Sequence, residues 1–300
     1  MHEKIEMRIV SFDIGLKTCS VAVEDYGVFD GTRIPCEPLQ THLATGEATD
    51  EYKAYVMALA GLGAVQHIEK RDLAAGSTSA AENKRMFFGG QAFGNLYAWC
   101  TEMKEVLQTA DLILIERQLR VNNIAVALMH HLHAWLLITF GGRVKVLLYA
   151  SKNKTRVLGA PLKVPNKEGK LVAFTKYQRK KWSTEQAKLV LQQRQDAHHL
   201  KYIFEENKKK KDDLSDVLMQ TLSYVVAHAS TVLKGPRGDV GVSISSISST
   251  PTPEPTPQKR KKSAKKKEKV EPSPTSLETP AVAAKPKRVY KRKTASAVKE

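Results

Sequence analysis

The sequence predicts an α/β fold, a mixed five-stranded sheet flanked by helices and followed by a disordered basic carboxy-terminal tail. Three observations predict it. Short β-branched runs follow one another closely at the amino end, as in strands joined by tight turns. A strand, helix, strand order between Leu112 and Leu148 implies a parallel pair with a right-handed crossover. Beyond Ser243 the composition shifts to Pro, Ser, Thr and Lys, with eight of the 13 prolines after residue 250. Such a segment cannot bury enough apolar surface to offset chain entropy. The expected organisation is therefore a folded domain over residues 1–242 and a tail over 243–300.

Taken in order, Met7 to Asp13 (MRIVSFD) and Ser20 to Val23 read as two antiparallel strands around a turn at Gly15, with Val28 to Ile34 as a candidate third. Pro35 to Glu51 reads as an extended loop. Ala64 to Leu73 fits either a further strand or the continuation of a helix from Tyr52 to Leu62. Ser79 to Thr109 is helical in pattern and weakened at Gly89 and Gly90. Ala110 to Glu116 (ADLILIE) is apolar on both faces, as a central strand must be when both sides of the sheet are covered. Asn122 or Asn123 can cap the next helix, which Gly141 and Gly142 end. Arg143 to Ala150 is a strand, a basic loop carries Lys152 to Lys170, and Lys176 to Arg194 is a helix. From Leu214 to Val225 apolar residues recur at helix spacing.

The net charge of +17 is shared between both parts, since residues 251–300 hold 15 Lys and Arg against 5 Glu. That balance favours a polyanion as partner over a small metabolite. Cys19, Cys36 and Cys100 show neither disulfide nor zinc spacing, which fits a reducing compartment. The amino terminus lacks the apolar stretch of a secretory signal, and the longest apolar candidate, Ala125 to Phe140, is too short to span a bilayer. The expectation is an intracellular chain that is neither secreted nor membrane-bound; the basic tail allows a nucleus or a viral replication compartment.

Four acids stand at element ends: Asp13 after the first strand, Glu116 after the buried one, and Asp213 and Asp216 at the start of the last long helix. Asp212 serves as that helix's cap or as an alternate ligand. If the two strands are neighbours, the four carboxylates converge. Without a basic partner their repulsion calls for two Mg²⁺ or Mn²⁺ ions, and such a pair suits phosphodiester hydrolysis. The outlet of Arg117, Gln118, Arg120 and Asn122, with Lys152, Lys154, Lys176, Arg179, Lys180 and Lys181, reads as a nucleic-acid surface. Tyr177 and Trp182 are interleaved for base or sugar packing. His130, His131 and His133, like His198 and His199, read as helix surface and not as metal ligands.

The motifs SFDIG at Asp13, LILIERQLRVN at Glu116 and KKDDLSD at Asp213 and Asp216, in this element order, resemble the ribonuclease H-like superfamily. Within it the chain resembles the RuvC-type Holliday junction resolvases, especially the poxvirus and large DNA virus branch. The resemblance runs over about residues 7–233. It implies a homodimer that nicks opposed strands of a four-way DNA junction. It assigns catalytic and metal roles to Asp13, Glu116, Asp213 and Asp216, leaves Asp212 as an alternate ligand, and matches a catalytic lysine to Lys176 or Lys180. Flaps, other branched DNA and RNA/DNA hybrids are alternative substrates for the same chemistry. A noncatalytic DNA-architectural protein is the alternative of another class.

Overall fold

A computed structural model describes residues 6–27 and 36–233. The candidate strand at Val28 to Ile34 and the tail from 243 lie outside the described residues. Strands β1 (Glu6–Asp13) and β2 (Cys19–Gly27) open the chain, and α1 (Asp50–Ala60) leads into β3 (Gly63–Arg71). Helices α2 (Ala80–Phe88), α3 (Gln91–Glu102) and α4 (Lys104–Leu107) precede β4 (Leu112–Arg117). Then come α5 (Asn123–Phe140), β5 (Lys145–Ala150), α6 (Ser151–Val157), a ribbon of β6 (Lys163–Pro165) and β7 (Leu171–Ala173), and α7 (Lys176–Gln193). A short α8 (Ala197–Lys201), a π-helical turn (Tyr202–Glu206) and a 3₁₀ turn (Lys208–Lys210) lead to α9 (Lys211–Ala227) and α10 (Ala229–Val232).

The main sheet has the order β3-β2-β1-β4-β5. Its first three strands are antiparallel neighbours, while β4 and β5 run parallel to β1. The result is a mixed five-stranded sheet flanked by helices, as the sequence predicts. Residues of β1 and β4 alternate between two cores. Ile9, Leu112 and Leu114 face α1, α7 and α9 through Leu59, Val190, Leu191, Leu214 and Val217. Val10, Phe12, Ile113 and Ile115 face α3 and α5 through Leu96, Trp99, Leu128 and Leu132. That double burial is why ADLILIE is apolar without alternation.

Of the two readings left open for Ala64 to Leu73 the strand holds: it is largely β3, and the helix before it ends at Ala60. A chain following α1 cannot extend it through Gly61 and Gly63 as cheaply as it pairs with the open edge of β2. Other sequence expectations are corrected. The Ser79 to Thr109 pattern divides into three helices, the first break at Gly90, which adopts a left-handed φ of 81°. The basic loop after β5 contains a helix and a ribbon. Asp212 does not cap α9, whose N-cap position is Lys210 with no side-chain cap. The apolar stretch expected to be too short to span a bilayer lies in helix α5, whose 18 residues are long and apolar enough, by length and composition, to cross a membrane; here Leu128, Leu132 and Leu136 pack it onto the sheet. Asn122 caps it as expected.

The far end of α7 is tied to the sheet by one buried cation. Arg194 donates to Glu24 at 2.6 Å, to the Tyr26 hydroxyl at 2.9 Å and to the Ala60 carbonyl at 2.8 Å. Both charged side chains are almost wholly out of solvent, at 3% and 0% exposure. Gly63 leaves room for the guanidinium, because a Cβ there would collide with Arg194 and the Tyr26 ring. Removing one partner strands the other charge in the core. Arg194→Ala should therefore cost about 3–5 kcal/mol, read as a lower urea midpoint with an unchanged slope. Replacing Glu24 and Arg194 together by apolar residues should cost less than the single change.

Candidate active site

Parallel pairing sets the first two acids side by side. The β1–β4 register runs from Ile9 beside Leu112 to Phe12 beside Ile115, so Asp13 and Glu116 leave neighbouring strands at the same end. Helix α9 brings the third. Its apolar side lies in the core, and Gln220 reaches over the sheet to donate to the carbonyls of Phe12 at 3.3 Å and Leu114 at 3.4 Å. Asp216 sits one turn before Gln220 and is thereby held over the strand ends.

A buried lysine joins these acids. Lys154, on α6 just after β5, is 5% exposed. Its Nζ lies 3.1 Å from Glu116 Oε2 and 3.5 Å from Asp216 Oδ2. Gln118 donates to Asp13 Oδ1 at 3.3 Å, and Ser183 of α7 donates to Asp216 Oδ1 at 3.0 Å. Asp213, a turn earlier on α9, stands 3.8 Å from Lys210 and near the Thr18 hydroxyl. Asp212 is paired with Lys180 at 2.8 Å.

The charges are unequally balanced. Burial and the neighbouring Glu116 carboxylate push the Asp13 carboxyl well above the usual range, against the pull of Lys154. Burial alone would raise Glu116, yet Lys154 and hydrogen bonds from Asp13, Ser151 and Lys154 outweigh it and hold the group low. Lys154 keeps its proton despite burial because Asp216, Glu116 and Asp13 surround it. Burial and Asp212 raise Asp213, whereas Lys180 overcomes burial and lowers Asp212. Three carboxylates thus face one ammonium, and the deficit of positive charge falls on Asp13. Hard carboxylate oxygens short of a cation suit Mg²⁺ or Mn²⁺. Among the described residues no three His, Cys, Asp or Glu side chains stand at the spacing that holds a metal ion.

Two sequence expectations change here. Lys154 is not a nucleic-acid contact, because it is buried against the acids. The acids were expected to lack a basic partner, and Lys154 is one. It is Lys154 that contacts Glu116 and Asp216; Lys180 is engaged with Asp212, and Lys176 is exposed at the start of α7. Sequence reasoning missed Lys154 because α6 was taken for loop, and nothing local marks which lysine of a basic segment turns inward. Ser183 and Gln220 stand on helices that the sequence does predict, α7 and α9, and were missed because nothing along the chain marks which of their polar side chains meets the acids or the strand ends. Arg117, Arg120, Lys152, Arg179 and Lys181 are exposed, as is Asn122, whose side chain caps α5. Gln118 is half-buried and turned towards Asp13. Of the histidines, His131 stacks on Phe93 at 4.0 Å and hydrogen-bonds Tyr97, while His199 pairs with Asp196 at 2.7 Å.

No family model matches the chain. It is 38% identical over 114 residues to the uncharacterized protein 97L of Invertebrate iridescent virus 3, an alignment covering 38% of this chain and 47% of that one. It is 30% identical over 147 residues to the uncharacterized protein 170L of Invertebrate iridescent virus 6, covering 45% of this chain and 58% of that one. The chain thus spans about half the length of the curated relatives it matches. Among solved structures it is similar to Thermus thermophilus RuvC in complex with a Holliday junction substrate, at 14% identity and a TM-score of 0.40, over 75% of this chain and 98% of that one. A second Thermus thermophilus RuvC structure gives 15% identity and a TM-score of 0.39.

A carboxyl whose folded pKa is raised contributes stability that is full below its unfolded value and lost as pH rises through the folded one. In EDTA at about pH 8, Asp13→Asn should therefore melt a few degrees above the unsubstituted protein, and the gain should fade towards about pH 4, where the wild-type carboxyl is protonated. Added Mg²⁺ should raise the wild-type Tm more than the variant's. Equal melting at the higher pH would contradict the charge imbalance at Asp13.

Proposed function

We propose that the protein is a divalent-metal-dependent endodeoxyribonuclease that nicks four-way or otherwise branched DNA, acting as a homodimer. The observation that carries this reading is the meeting of Asp13, Glu116 and Asp216 at one end of the sheet with more acid than Lys154 neutralises. Those three carboxylates, with Asp213 one turn away, would hold Mg²⁺ or Mn²⁺. Held there, a pair of such ions would supply the charge needed for water activation and leaving-oxygen stabilisation in phosphodiester hydrolysis.

The chain's own groups do the positioning. Gln118 orients Asp13, Ser183 orients Asp216, and Lys154 keeps Glu116 and Asp216 together despite their like charge. The exposed Arg117, Arg120, Lys152, Lys176, Arg179 and Lys181 supply phosphate contacts around the acids. Ala134, Leu137 and Ile138 share the outer side of α5 with His130, and Ile138 is 83% exposed. An uncharged apolar strip of this kind suits a second copy of the chain. The tail over 243–300 would add electrostatic tethering to nucleic acid, in a nucleus or a viral replication compartment. The similarity to iridescent virus proteins supports a viral setting.

Cleavage of a synthetic four-way junction with and without Mg²⁺ tests the reading. Asp13→Asn and Glu116→Gln should each lower nicking by more than the roughly 10–100-fold that loss of an outer-shell partner costs, with binding retained. Absence of any Mg²⁺-dependent product from the wild type would favour a noncatalytic architectural protein. Faster cutting of flaps or RNA/DNA hybrids than of junctions would redirect the substrate. In sedimentation equilibrium the wild type should run as a dimer, and Ile138→Lys should shift it to monomer.

A further inference from the structure

Between α6 and α7 the chain leaves the domain core as a two-stranded ribbon that, among the described residues, joins no other strand. Lys163, Val164 and Pro165 pair with Ala173, Val172 and Leu171. Its turn is well specified. Asn166 Oδ1 accepts from the backbone N–H groups of Glu168 and Lys170, both at 2.9 Å, and Gly169 takes the left-handed φ of 76° that the turn needs. Its base is tied to the loop before α1, where the Leu162 N–H donates to the Gly46 carbonyl at 2.8 Å.

Among the described residues the ribbon's side chains are little packed. All of β7 is exposed, and of β6 only Val164 is half-buried. Leu162 and Leu171 are 52% and 51% exposed, and Tyr177 just beyond is 78% exposed. An isolated two-stranded hairpin is marginal in water, so a ribbon this bare is suited to ordering against something else. Charge says what that is. From Ser151 to Trp182 the sequence has ten Lys and Arg and a single acid, Glu168. Lys163, Lys167 and Lys170 lie on the ribbon, and Glu168 makes only an exposed pair with Lys170 at 3.4 Å, a contact of little worth in water.

In the chain the ribbon lies between two helices that reach the acidic end. The helix before it carries Lys154, and the helix after it carries Lys180 and Ser183, which hold Asp212 and Asp216. Duplex DNA reaching the acids would be met by this segment, and a two-stranded ribbon is one of the shapes that a DNA major groove admits. We propose that residues 160–175 form a DNA-gripping arm that holds the duplex flanking the cut through phosphate contacts of Lys163, Lys167 and Lys170, setting affinity and not the chemical step. This inference rests on the nuclease reading.

The test compares the wild type with a Lys163→Gln, Lys167→Gln, Lys170→Gln variant. Because these side chains lie outside the core, circular dichroism and Tm should match. Binding to a four-way junction is measured in EDTA over a salt series. The variant should bind roughly tenfold more weakly near physiological salt, and its log–log salt slope should be shallower by about 2–3, since each phosphate contact contributes about 0.9. Its single-turnover cleavage rate with Mg²⁺ at saturating protein should equal the wild type's. An unchanged affinity and slope would overturn the arm, leaving the ribbon to a protein partner, and so would a lower saturated rate with an unchanged slope. Wild-type binding without cleavage would defeat the nuclease reading while the slope still decides the arm. No wild-type DNA binding at all would defeat both.

Discussion

The acidic end of the protein depends on the parallel pairing of β1 with β4. Parallel strands leave a sheet in the same direction, so a carboxylate ending each one is delivered to the same place. The register beside Ile9 and Leu112 then makes Asp13 and Glu116 immediate neighbours. A shift of one residue would turn Ile113 and Ile115 out of one core and Leu112 and Leu114 out of the other, so burial on both faces holds the register. Helix α9 adds Asp216 only because Gln220 binds carbonyls of both strands and its apolar side has nowhere else to go.

Bringing like charges together has a cost that the fold only partly offsets. Lys154 is shared from within between Glu116 and Asp216, and Asp13 is left with a carboxyl that resists ionisation. Sites that hold strain or excess charge in this way are commonly functional, since a group that serves stability alone would be replaced at little loss. The Arg194–Glu24 pair on the far side makes the contrast. There cation and anion match, with a tyrosine hydroxyl and a backbone carbonyl as further partners, and the group serves to pin α7. With α7 held at that end, its other end carries Ser183 and Lys180 to α9.

Much of this was legible in the sequence where the signal is local. ADLILIE announced a doubly covered strand, Asn122 and Gly141 announced the ends of α5, and the DDLSD run announced acids in the first turn of a helix. The losses came where two local readings compete. Ala64 to Leu73 became strand because the free edge of β2 was there to be paired, and Asp212 surrendered capping to an ion pair with a lysine 32 residues away. The basic segment after β5 hid a helix and a ribbon because lysine-rich stretches carry little periodicity.

The sequence by itself determined the layers, the placement of acids at element ends and the concentration of positive charge, since each follows from residue patterns within a few positions of the chain. Only the tertiary structure decided which charges meet. Among ten cations in residues 151–182, Lys154 turns inward to the acids while Lys163, Lys167 and Lys170 remain on an exposed ribbon. Lysines of one segment look alike along the chain. Their roles separate when β5 sets α6 against the strand ends and leaves the ribbon outside the core.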